Sequence, residues 1–289
     1  MTPPAAMTGR APVRRLRSAL HTMSAPSLRW ERPAEVPPGA EKVAVFAQFS
    51  IGRRMSRSVS EFARQLRAHG YRVVLSSSAL AAGELEWPHG LPDIGVLRKP
   101  NLGYDFGSWA VALAEVPEIL SAQRVLFVND SFVGPFWSIE RILADFERSS
   151  ADVWGLARSM EFEPHLQSYL FGMRGSALRS APARRFWSSV GVRAGREEVV
   201  QQYEIGLTRM LHRHSFSVHA MFDCEAVTAG GGNPSLFGWH EFLRAGVPFV
   251  KRQLLRERNI GWRAEDIPRV LAEEFGVRVE EWLPDEERG

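Results

Sequence analysis

The residues best placed to do chemistry are Asn129, Asp130 and Ser131, which come directly after the apolar run 125–128. A carboxylate at the end of a buried strand is costly to desolvate unless it gains a partner. A divalent cation is one such partner, because Mg²⁺ is usually held by a few carboxylates together with substrate phosphates. We therefore predict that Asp130 binds Mg²⁺ or Mn²⁺ at the diphosphate of a ligand. The alternative is an Asx turn, in which the Asp130 carboxylate accepts hydrogen bonds from loop amides.

Two more polar stretches follow apolar runs. Gln48 and Ser50 precede a predicted helix whose free amides suit a phosphate, and a loop with a capping serine is the alternative. Asp105 would bind a sugar or ribose hydroxyl or, alternatively, cap the helix that follows it. Lys251, one of three lysines beside 33 arginines, could meet phosphate as a point charge. The predicted donor-binding residues are Gln48, Ser50, Asn101, Tyr104, Asp105, Asn129, Ser131 and Lys251.

A third group of polar residues is predicted to bind an acceptor. Alternation over residues 165–169 would place His165, Gln167 and Tyr169 on one face of a strand, where they could line a groove. The alternative for this stretch is a half-exposed outer strand. His240, which follows the turn formers at 233–235, completes the predicted acceptor set.

Glu204 is the candidate general base. It flanks the apolar stripe of a predicted helix, so its carboxylate could reach a cleft and take a proton from an acceptor hydroxyl. The alternative is a solvated position on the helix surface. The stripe consists of Val199, Tyr203, Leu207 and Met210.

The elements that must position these residues alternate along the first half of the chain. Apolar runs predict strands buried on both faces, and helical spacing between them predicts covering helices. This alternation predicts an α/β fold with a mostly parallel sheet, which binds ligands at the carboxyl ends of its strands, followed by a mixed C-terminal half. The predicted strands are 43–47, 71–75, 94–97, 124–128, 152–157, 165–173 and 216–220, and the predicted helices include 53–69, 104–120, 197–213 and 264–275.

Charge and composition exclude several classes of protein. The first 40 residues contain six arginines and two glutamates, so the remaining body has a net charge of about −1 within the total of +3. A body that is nearly neutral argues against nucleic acid as a partner. The single cysteine excludes a disulfide framework, and no run of 18 apolar residues predicts a membrane span. The Walker A, G-x-S-x-G, G-x-G-x-x-G and H-E-x-x-H motifs are absent.

Short motifs follow one another along most of the chain: Asn101-x-Gly103-Tyr104-Asp105-Phe106-Gly107-Ser108-Trp109, Asn129-Asp130-Ser131, Gly134-Pro135, Trp154-Gly155, His165-Leu166-Gln167-Ser168-Tyr169, Tyr203-Glu204 and Pro248-Phe249-x-Lys251. In this order they resemble the rhamnan synthesis protein F family of bacterial polysaccharide glycosyltransferases, over roughly residues 42–257. The resemblance implies a GT-A-like, Rossmann-type domain merged with an acceptor region. It also implies a nucleotide-sugar donor such as dTDP-rhamnose and a cell-surface glycan or lipid-linked acceptor.

The resemblance also implies roles for two of the motifs. Asn129-Asp130-Ser131 stands where GT-A enzymes carry an Asp-x-Asp metal motif, and here it has one carboxylate. Tyr203-Glu204 stands where many inverting members carry a Glu-Asp pair whose Asp is the base. An inverting transfer is therefore implied, with Glu204 as the base and a cation at Asp130.

We predict three segments: a mostly disordered basic leader over 1–40 with a short helix near 13–23, the GT-A-like domain over 41–260 and a helical extension over 261–289. We expect a cytoplasmic location with peripheral contact to the inner membrane through the leader, and a merely solvated leader is the alternative. Two other functions stay open. One is a noncatalytic sugar- or nucleotide-binding partner in polysaccharide assembly, and the other is a glycan hydrolase that uses Asp105 with Asp130.

Overall fold

The computed structural model describes residues 15–283 except 229–231, 258–259 and 262. Its strands, β1 to β11 in chain order, are Arg29–Arg32, Lys42–Gln48, Arg72–Ser77, Gly95–Arg98, Arg124–Asn129, Phe132–Val133, Val153–Ser159, His165–Leu166, Leu170–Arg174, Val218–Phe222 and Val250–Lys251. The central sheet has the strand order β1-β4-β3-β2-β5-β9-β7-β10, with β8 paired to β7. A separate ribbon joins β11 to β6.

Helices cover both faces of this sheet. Helix α2 begins where the Ser56 side chain accepts a hydrogen bond from the amide of Val59, as expected for an N-capping serine. The helices, α1 to α13 in chain order, are Ala19–Ser24, Arg57–Ala68, Tyr104–Glu115, Glu140–Arg148, Gly175–Arg179, Ala181–Ser189, Arg196–Val199, Ile205–Arg213, Cys224–Val227, Pro234–Phe237, Trp239–Arg244, Arg252–Arg256 and Ile267–Phe275. A π-helical turn, Val200–Glu204, joins α7 to α8.

Strand direction decides which side chains can meet. Strands β2, β3, β4 and β5 are parallel to one another, and β9 runs antiparallel between β5 and β7. Strand β10 is parallel to β7. The carboxyl ends of β2, β3, β4, β5, β7 and β10 therefore lie at one end of the sheet, where ligands bind in folds of this kind.

The apolar strands are buried on both faces, as their sequences predict. In β2 the side chains of Val43 and Val45 pack in the same core as Trp109, which lies on α3. Phe46, the residue after Val45, packs in the opposite core with Phe62, which lies on α2. The predicted α/β class, with a mostly parallel sheet flanked by helices and a mixed second half, is confirmed.

The short helix expected near residues 13–23 corresponds to α1, but the prediction of disorder is wrong for the rest of the described part of 1–40. Leu16 and Leu20 are buried, and β1 pairs antiparallel with β4. Glu31 of β1 also accepts a hydrogen bond from the guanidinium of Arg98 at 2.8 Å, in an ion pair whose two side chains are each 10% exposed. Weak local periodicity did not reveal strand β1, because this strand is held by partners 54 or more residues away. Residues 1–14 lie outside the described residues.

The single strand predicted over 165–173 is also wrong, because the chain turns between β8 and β9. The expected alternation of His165, Gln167 and Tyr169 on one face therefore fails. All three side chains are buried, so the alternative of a half-exposed outer strand fails as well.

The C-terminal part packs against the ribbon of β6 and β11. Ile267 and Leu271 of α13 share a core with Val133 and Val250. The division of the chain at residue 260 stays a prediction. In the described part of the chain, helices long and apolar enough to cross a membrane are absent.

Leu20 connects this fold to its functional end, because it lies against Gly103 and Gly107 at the start of α3. A Cβ built on Gly103 would lie 2.7 Å from Leu20 Cδ2. We expect Leu20→Ala to lower the free energy of unfolding by about 2 kcal/mol or more, since it leaves a cavity there. Urea unfolding followed by tryptophan fluorescence measures the change.

Met23→Ala is the matched control for Leu20→Ala, because the Met23 side chain lies on the same helix and is 59% exposed. It should change the free energy of unfolding by less than about 0.5 kcal/mol. Equal effects of the two substitutions would mean that residues 15–32 are not part of the cooperative fold.

Candidate active site

Asn129 lies at the centre of a polar cluster at the carboxyl end of β5. Its side chain is 5% exposed, so each of its polar atoms needs a partner. Its Nδ2 donates to Asp105 Oδ2 at 2.8 Å, and its Oδ1 accepts from Ser131 Oγ at 2.7 Å. The residue therefore connects the first turn of α3 to the loop after β5.

Lys251 joins this cluster although it lies 120 residues after Ser131 in the sequence. The antiparallel pairing of β11 with β6 places Lys251 opposite Phe132, beside the loop after β5. Its Nζ donates to Ser131 Oγ at 3.1 Å and lies 3.9 Å from the centre of the Tyr169 ring. Hydrogen bonds thus run in one direction from the ammonium group through Ser131 and Asn129 to the Asp105 carboxylate.

Asp130 is the second carboxylate of the cluster, and it is half-buried. Its Oδ2 accepts a hydrogen bond from the amide of Phe49, in the loop after β2, at 3.1 Å. Burial raises the pKa of Asp130 to about 7, with Arg252 opposing the change and Asp105 adding to it. A carboxyl group whose pKa is raised to near neutral pH is poorly compensated, as ionisable groups in ligand sites often are.

The charges of Asp105 and Lys251 are also poorly solvated. Burial raises the pKa of Asp105, against the hydrogen bond from Asn129. Burial lowers the pKa of Lys251 to about 8, although Glu204 and Asp105 oppose the change. Lys251 therefore keeps most of its charge at pH 7 and can still attract an anion.

The start of α3 has an unusual backbone. Gly103 has φ 77° and Tyr104 has φ 52°, so a bulky residue occupies the left-handed region where it is disfavoured. The Tyr104 ring is exposed beside Asp105, as is the side chain of Asn101. Strain of this kind accumulates at ligand sites, and here it presents an aromatic ring to solvent at the edge of the cluster.

Two predicted donor residues are occupied by structural contacts. Gln48 is buried, and its Oε1 accepts from Ser77 Oγ at 2.6 Å, which joins the ends of β2 and β3. Ser50 Oγ donates to the carbonyl of Gly52 at 2.7 Å within the same loop. Both residues lie where the sequence predicts, but their side chains stabilise the loop that presents the Phe49 amide.

Glu204 forms a second cluster with His165 and Ser168. Its Oε1 lies 3.1 Å from His165 Nε2, and its Oε2 accepts from both the amide and the hydroxyl of Ser168. His165 Nδ1 lies 2.8 Å from the carbonyl of Glu163 and must donate to it, because a carbonyl only accepts. The Glu204 carboxylate is therefore opposite the remaining ring nitrogen.

Hydrogen bonding favours the charged forms of His165 and Glu204. Burial lowers the pKa of His165, but the hydrogen bonds with Glu204 and Glu163 outweigh it and leave that pKa above its ordinary value. Burial raises the pKa of Glu204, but the hydrogen bonds from His165 and Ser168 leave it below its ordinary value. Glu204 ends the π-helical turn, a feature found often at functional sites.

The other predicted acceptor residues separate in space. Gln167 Nε2 donates to Asn233 Oδ1 at 2.7 Å, and Tyr169 lies under Lys251. His240 is 3.1 Å from Glu274 on α13, so it pairs with the C-terminal helix instead. In the described part of the chain, the buried Gln167 Oε1 and Tyr169 hydroxyl have no hydrogen-bond partner.

Sequence reasoning missed three residues of the site. Ser168 contributes the donors to Glu204, and Arg252 places its amide 2.9 Å from the Ser131 carbonyl. Lys99, only 4% exposed, donates to the carbonyl of Leu102 at 2.9 Å, and burial lowers its pKa to about 8. The sequence contains only three lysines, and this scarcity drew attention to Lys251. The same signal was available for Lys99.

A metal ion would find few ligands here. Among the described residues, His, Cys, Asp and Glu side chains form no group of three or more that could hold one. Asp130 and Asp105 are the carboxylates at this end of β5, and each has one oxygen engaged by an amide donor. These residues fit a cation that is held partly by the phosphates of a substrate, as Mg²⁺ usually is.

Comparisons with known proteins show which family and which individual proteins this chain resembles. The family described as rhamnan synthesis protein F matches residues 73–275. Virulence protein VirA of Vibrio anguillarum (strain ATCC 68554 / 775) is 28% identical over 198 residues, which covers 57% of this chain and 64% of that protein. A second VirA sequence from Vibrio anguillarum matches with the same values. The match thus spans less than two thirds of the length of these relatives.

A search of solved structures finds a protein whose similarity extends over most of the chain. It is the galactosyltransferase LgtC in complex with donor and acceptor sugar analogs, which is 12% identical with a TM-score of 0.36. The similarity covers 86% of this chain and 99% of that chain.

The ion pair of Glu204 with His165 should make stability depend on pH. The raised pKa of His165 contributes stability that is present below its unfolded pKa, about 6.5, and is lost as the pH rises through the folded value. We expect Glu204→Gln to lower the free energy of unfolding by about 2 kcal/mol at acidic pH, as for other charged hydrogen bonds. The loss should shrink at alkaline pH, and urea unfolding near pH 5.5 and 8.5 measures both.

Glu197→Gln is the control for this pH dependence, because Glu197 is exposed on the neighbouring helix α7. It should have a small and similar effect at both pH values. If Glu204→Gln also destabilised equally at the two pH values, the imidazolium–carboxylate pair would be contradicted.

Proposed function

This chain belongs to the rhamnan synthesis protein F family, and we propose on that basis that it is a glycosyltransferase of polysaccharide synthesis. The observation that carries the proposal is the cluster of Asp130, Asp105 and Lys251 at the carboxyl end of β5. Its carboxyl groups and ammonium group are half-buried, and this burial raises the pKa of both carboxyl groups and lowers that of the ammonium group. Groups in that condition gain a partner when a charged ligand binds.

We propose that the diphosphate of a nucleotide sugar binds in this cluster. The Lys251 ammonium would face the phosphates, with the Ser131 and Asn129 side chains holding it in place. Asp130, with Asp105, would hold a Mg²⁺ or Mn²⁺ ion, whose chemistry is to neutralise the leaving diphosphate. Lys251 would stabilise the same charge as the bond between the sugar and the phosphate breaks.

We propose rhamnose or a related deoxysugar as the sugar, carried by a donor such as dTDP-rhamnose. The acceptor would be a cell-surface polysaccharide or a lipid-linked glycan, and the transfer would occur in the cytoplasm at the inner face of the membrane. Exposed apolar side chains around the carboxyl end of the sheet support an acceptor that is presented at a lipid surface. They are Phe49, Ile51, Leu80, Tyr104 and Phe162.

Donor hydrolysis tests the proposed function. We expect the protein to release nucleoside diphosphate from at least one of a panel of dTDP-, UDP- and GDP-sugars, faster with Mg²⁺ or Mn²⁺ than with EDTA. Asp130→Asn should lower the rate by about 100-fold or more, because it removes charge stabilisation at the leaving group. Chromatography of the released diphosphate measures the rates.

Asp93→Asn is the control for Asp130→Asn, since the Asp93 side chain is 65% exposed and accepts from Arg32 and Arg67. Its rate should match that of the unaltered protein. If nucleotide sugars bind but no sugar of the panel is hydrolysed or transferred, the protein is instead a noncatalytic binding partner.

We propose an inverting transfer with Glu204 as the general base. Its carboxylate would take the proton of an acceptor hydroxyl while that oxygen attacks the anomeric carbon and the diphosphate departs with the bonding electrons. Both Glu204 oxygens are engaged by His165 and Ser168, so an acceptor hydroxyl would have to replace one of these donors. The alternative, which these contacts favour, is a structural function in which Glu204 holds His165 and Ser168 in place.

Paired substitutions separate the two functions of Glu204. If Glu204 is the general base, Glu204→Gln should lower the rate of transfer by about 100-fold or more at saturating donor, while His165→Asn should have a much smaller effect. If Glu204 has only a structural function, both substitutions should lower the rate of transfer by similar factors, because each one breaks the same pair. Turnover with a saturating acceptor measures both variants, and full turnover of Glu204→Gln would rule out the base.

A further inference from the structure

An open cleft lies apart from the cluster around Asp130 and has no part in the function proposed above. Its volume is about 820 Å³. Its walls are formed by the segment before α1 and by the exposed face of α6. The residues that line it are Arg15, Arg17, Arg184, Arg185, Ser188 and Ser189.

Burial on the opposite faces orients these arginines. Leu16 is buried in the core, which leaves Arg15 and Arg17 exposed on either side of it. On α6 the buried residues Ala183 and Trp187 turn the other face of the helix outward. The guanidinium of Arg184 donates to the carbonyl of Arg15 at 3.1 Å and so joins the two walls.

The cleft is strongly positive. Arg15, Arg17 and Arg185 form no ion pair with a carboxylate in the part of the chain that the structure describes. Many other arginines of this protein have such a partner. Guanidinium groups that line one cleft repel one another, and an anion between them would remove that repulsion. The planar guanidinium fork matches phosphate, and the Ser188 hydroxyl adds a neutral donor. The Ser189 hydroxyl donates to the carbonyl of Phe186 at 2.7 Å.

We propose that this cleft binds the phosphate groups of an anionic ligand. Lipid headgroups and free diphosphates share this chemistry, and the volume is larger than one phosphate requires. Helix α6 also contacts the end of the fold that carries the polar clusters. Phe186 of α6 packs against Phe106 and Tyr203. Phe106 directly follows Asp105 in the chain, and Tyr203 directly precedes Glu204. Occupation of the cleft would hold a phosphate-bearing surface or molecule next to that end.

Binding to vesicles is the first test. The full chain should bind phosphatidylcholine vesicles that contain phosphatidylglycerol and should not bind vesicles of phosphatidylcholine alone. Each arginine at an anionic surface contributes about a fivefold factor in binding, so Arg17→Ala/Arg185→Ala should weaken it by about 25-fold at about 0.1 M salt. Cosedimentation measures the bound fraction, and unchanged urea unfolding shows that the variant is folded.

Inorganic diphosphate is the second ligand, and isothermal titration calorimetry measures its binding. Any diphosphate bound at Asp130 and Lys251 is retained by the double variant, so the difference between the two proteins reports the cleft alone. Loss of vesicle binding alone identifies a lipid headgroup as the ligand. Loss of diphosphate binding identifies a soluble phosphate.

Arg148→Ala/Arg213→Ala is the control that matches the double variant in net charge. Both residues are exposed and neither lines the cleft. This control should bind within about twofold of the unaltered protein, because charges beyond the Debye length are screened. Equal binding by the two double variants, or no binding of either ligand by the unaltered protein, would overturn the proposal. Neither result depends on turnover, so the glycosyltransferase proposal is tested separately.

Discussion

The need to satisfy the side chain of Asn129 is the constraint on which the rest of the site depends. A buried amide must find partners for both of its ends, and here the partners come from two different elements. Its donor fixes Asp105 in the first turn of α3, and its acceptor fixes Ser131, which in turn holds Lys251. Strand β5, helix α3 and the β6–β11 ribbon are therefore tied together by one neutral residue.

The two polar clusters differ in how completely their charges are compensated. Around Glu204 every charge has a partner of opposite sign and further hydrogen bonds, so the cluster is complete without a ligand. Around Asp130 burial opposes the charges, and the pKa of Asp130 and that of Lys251 approach each other. A protein that bound nothing would gain stability by replacing such groups with apolar ones. Their presence supports the charged ligand that we propose.

Much of the fold and the centre of the site follow from local sequence. Runs such as 43–47 and 124–128 are too apolar for any position except a central strand, and residues after such strands must meet at one end of the sheet. What local sequence could not predict depends on distant partners. Residues 15–32 are ordered by contacts with Gly103 and Arg98, and His240 pairs with Glu274. The turn between β8 and β9 is set by Glu204, 36 residues away from Ser168.

Strand β1 has a further consequence for the behaviour of the protein in concentrated solution. It is the outermost strand on one side of the sheet, and it covers β4, whose four residues are all buried. Without that cover, the backbone amides and carbonyls of β4 would be free to pair with another copy, which is how aggregation begins at unprotected strands. Strand β1, with the charged residues Arg29 and Arg32, occupies the outer position instead. The N-terminal segment thus keeps neighbouring molecules from extending the sheet.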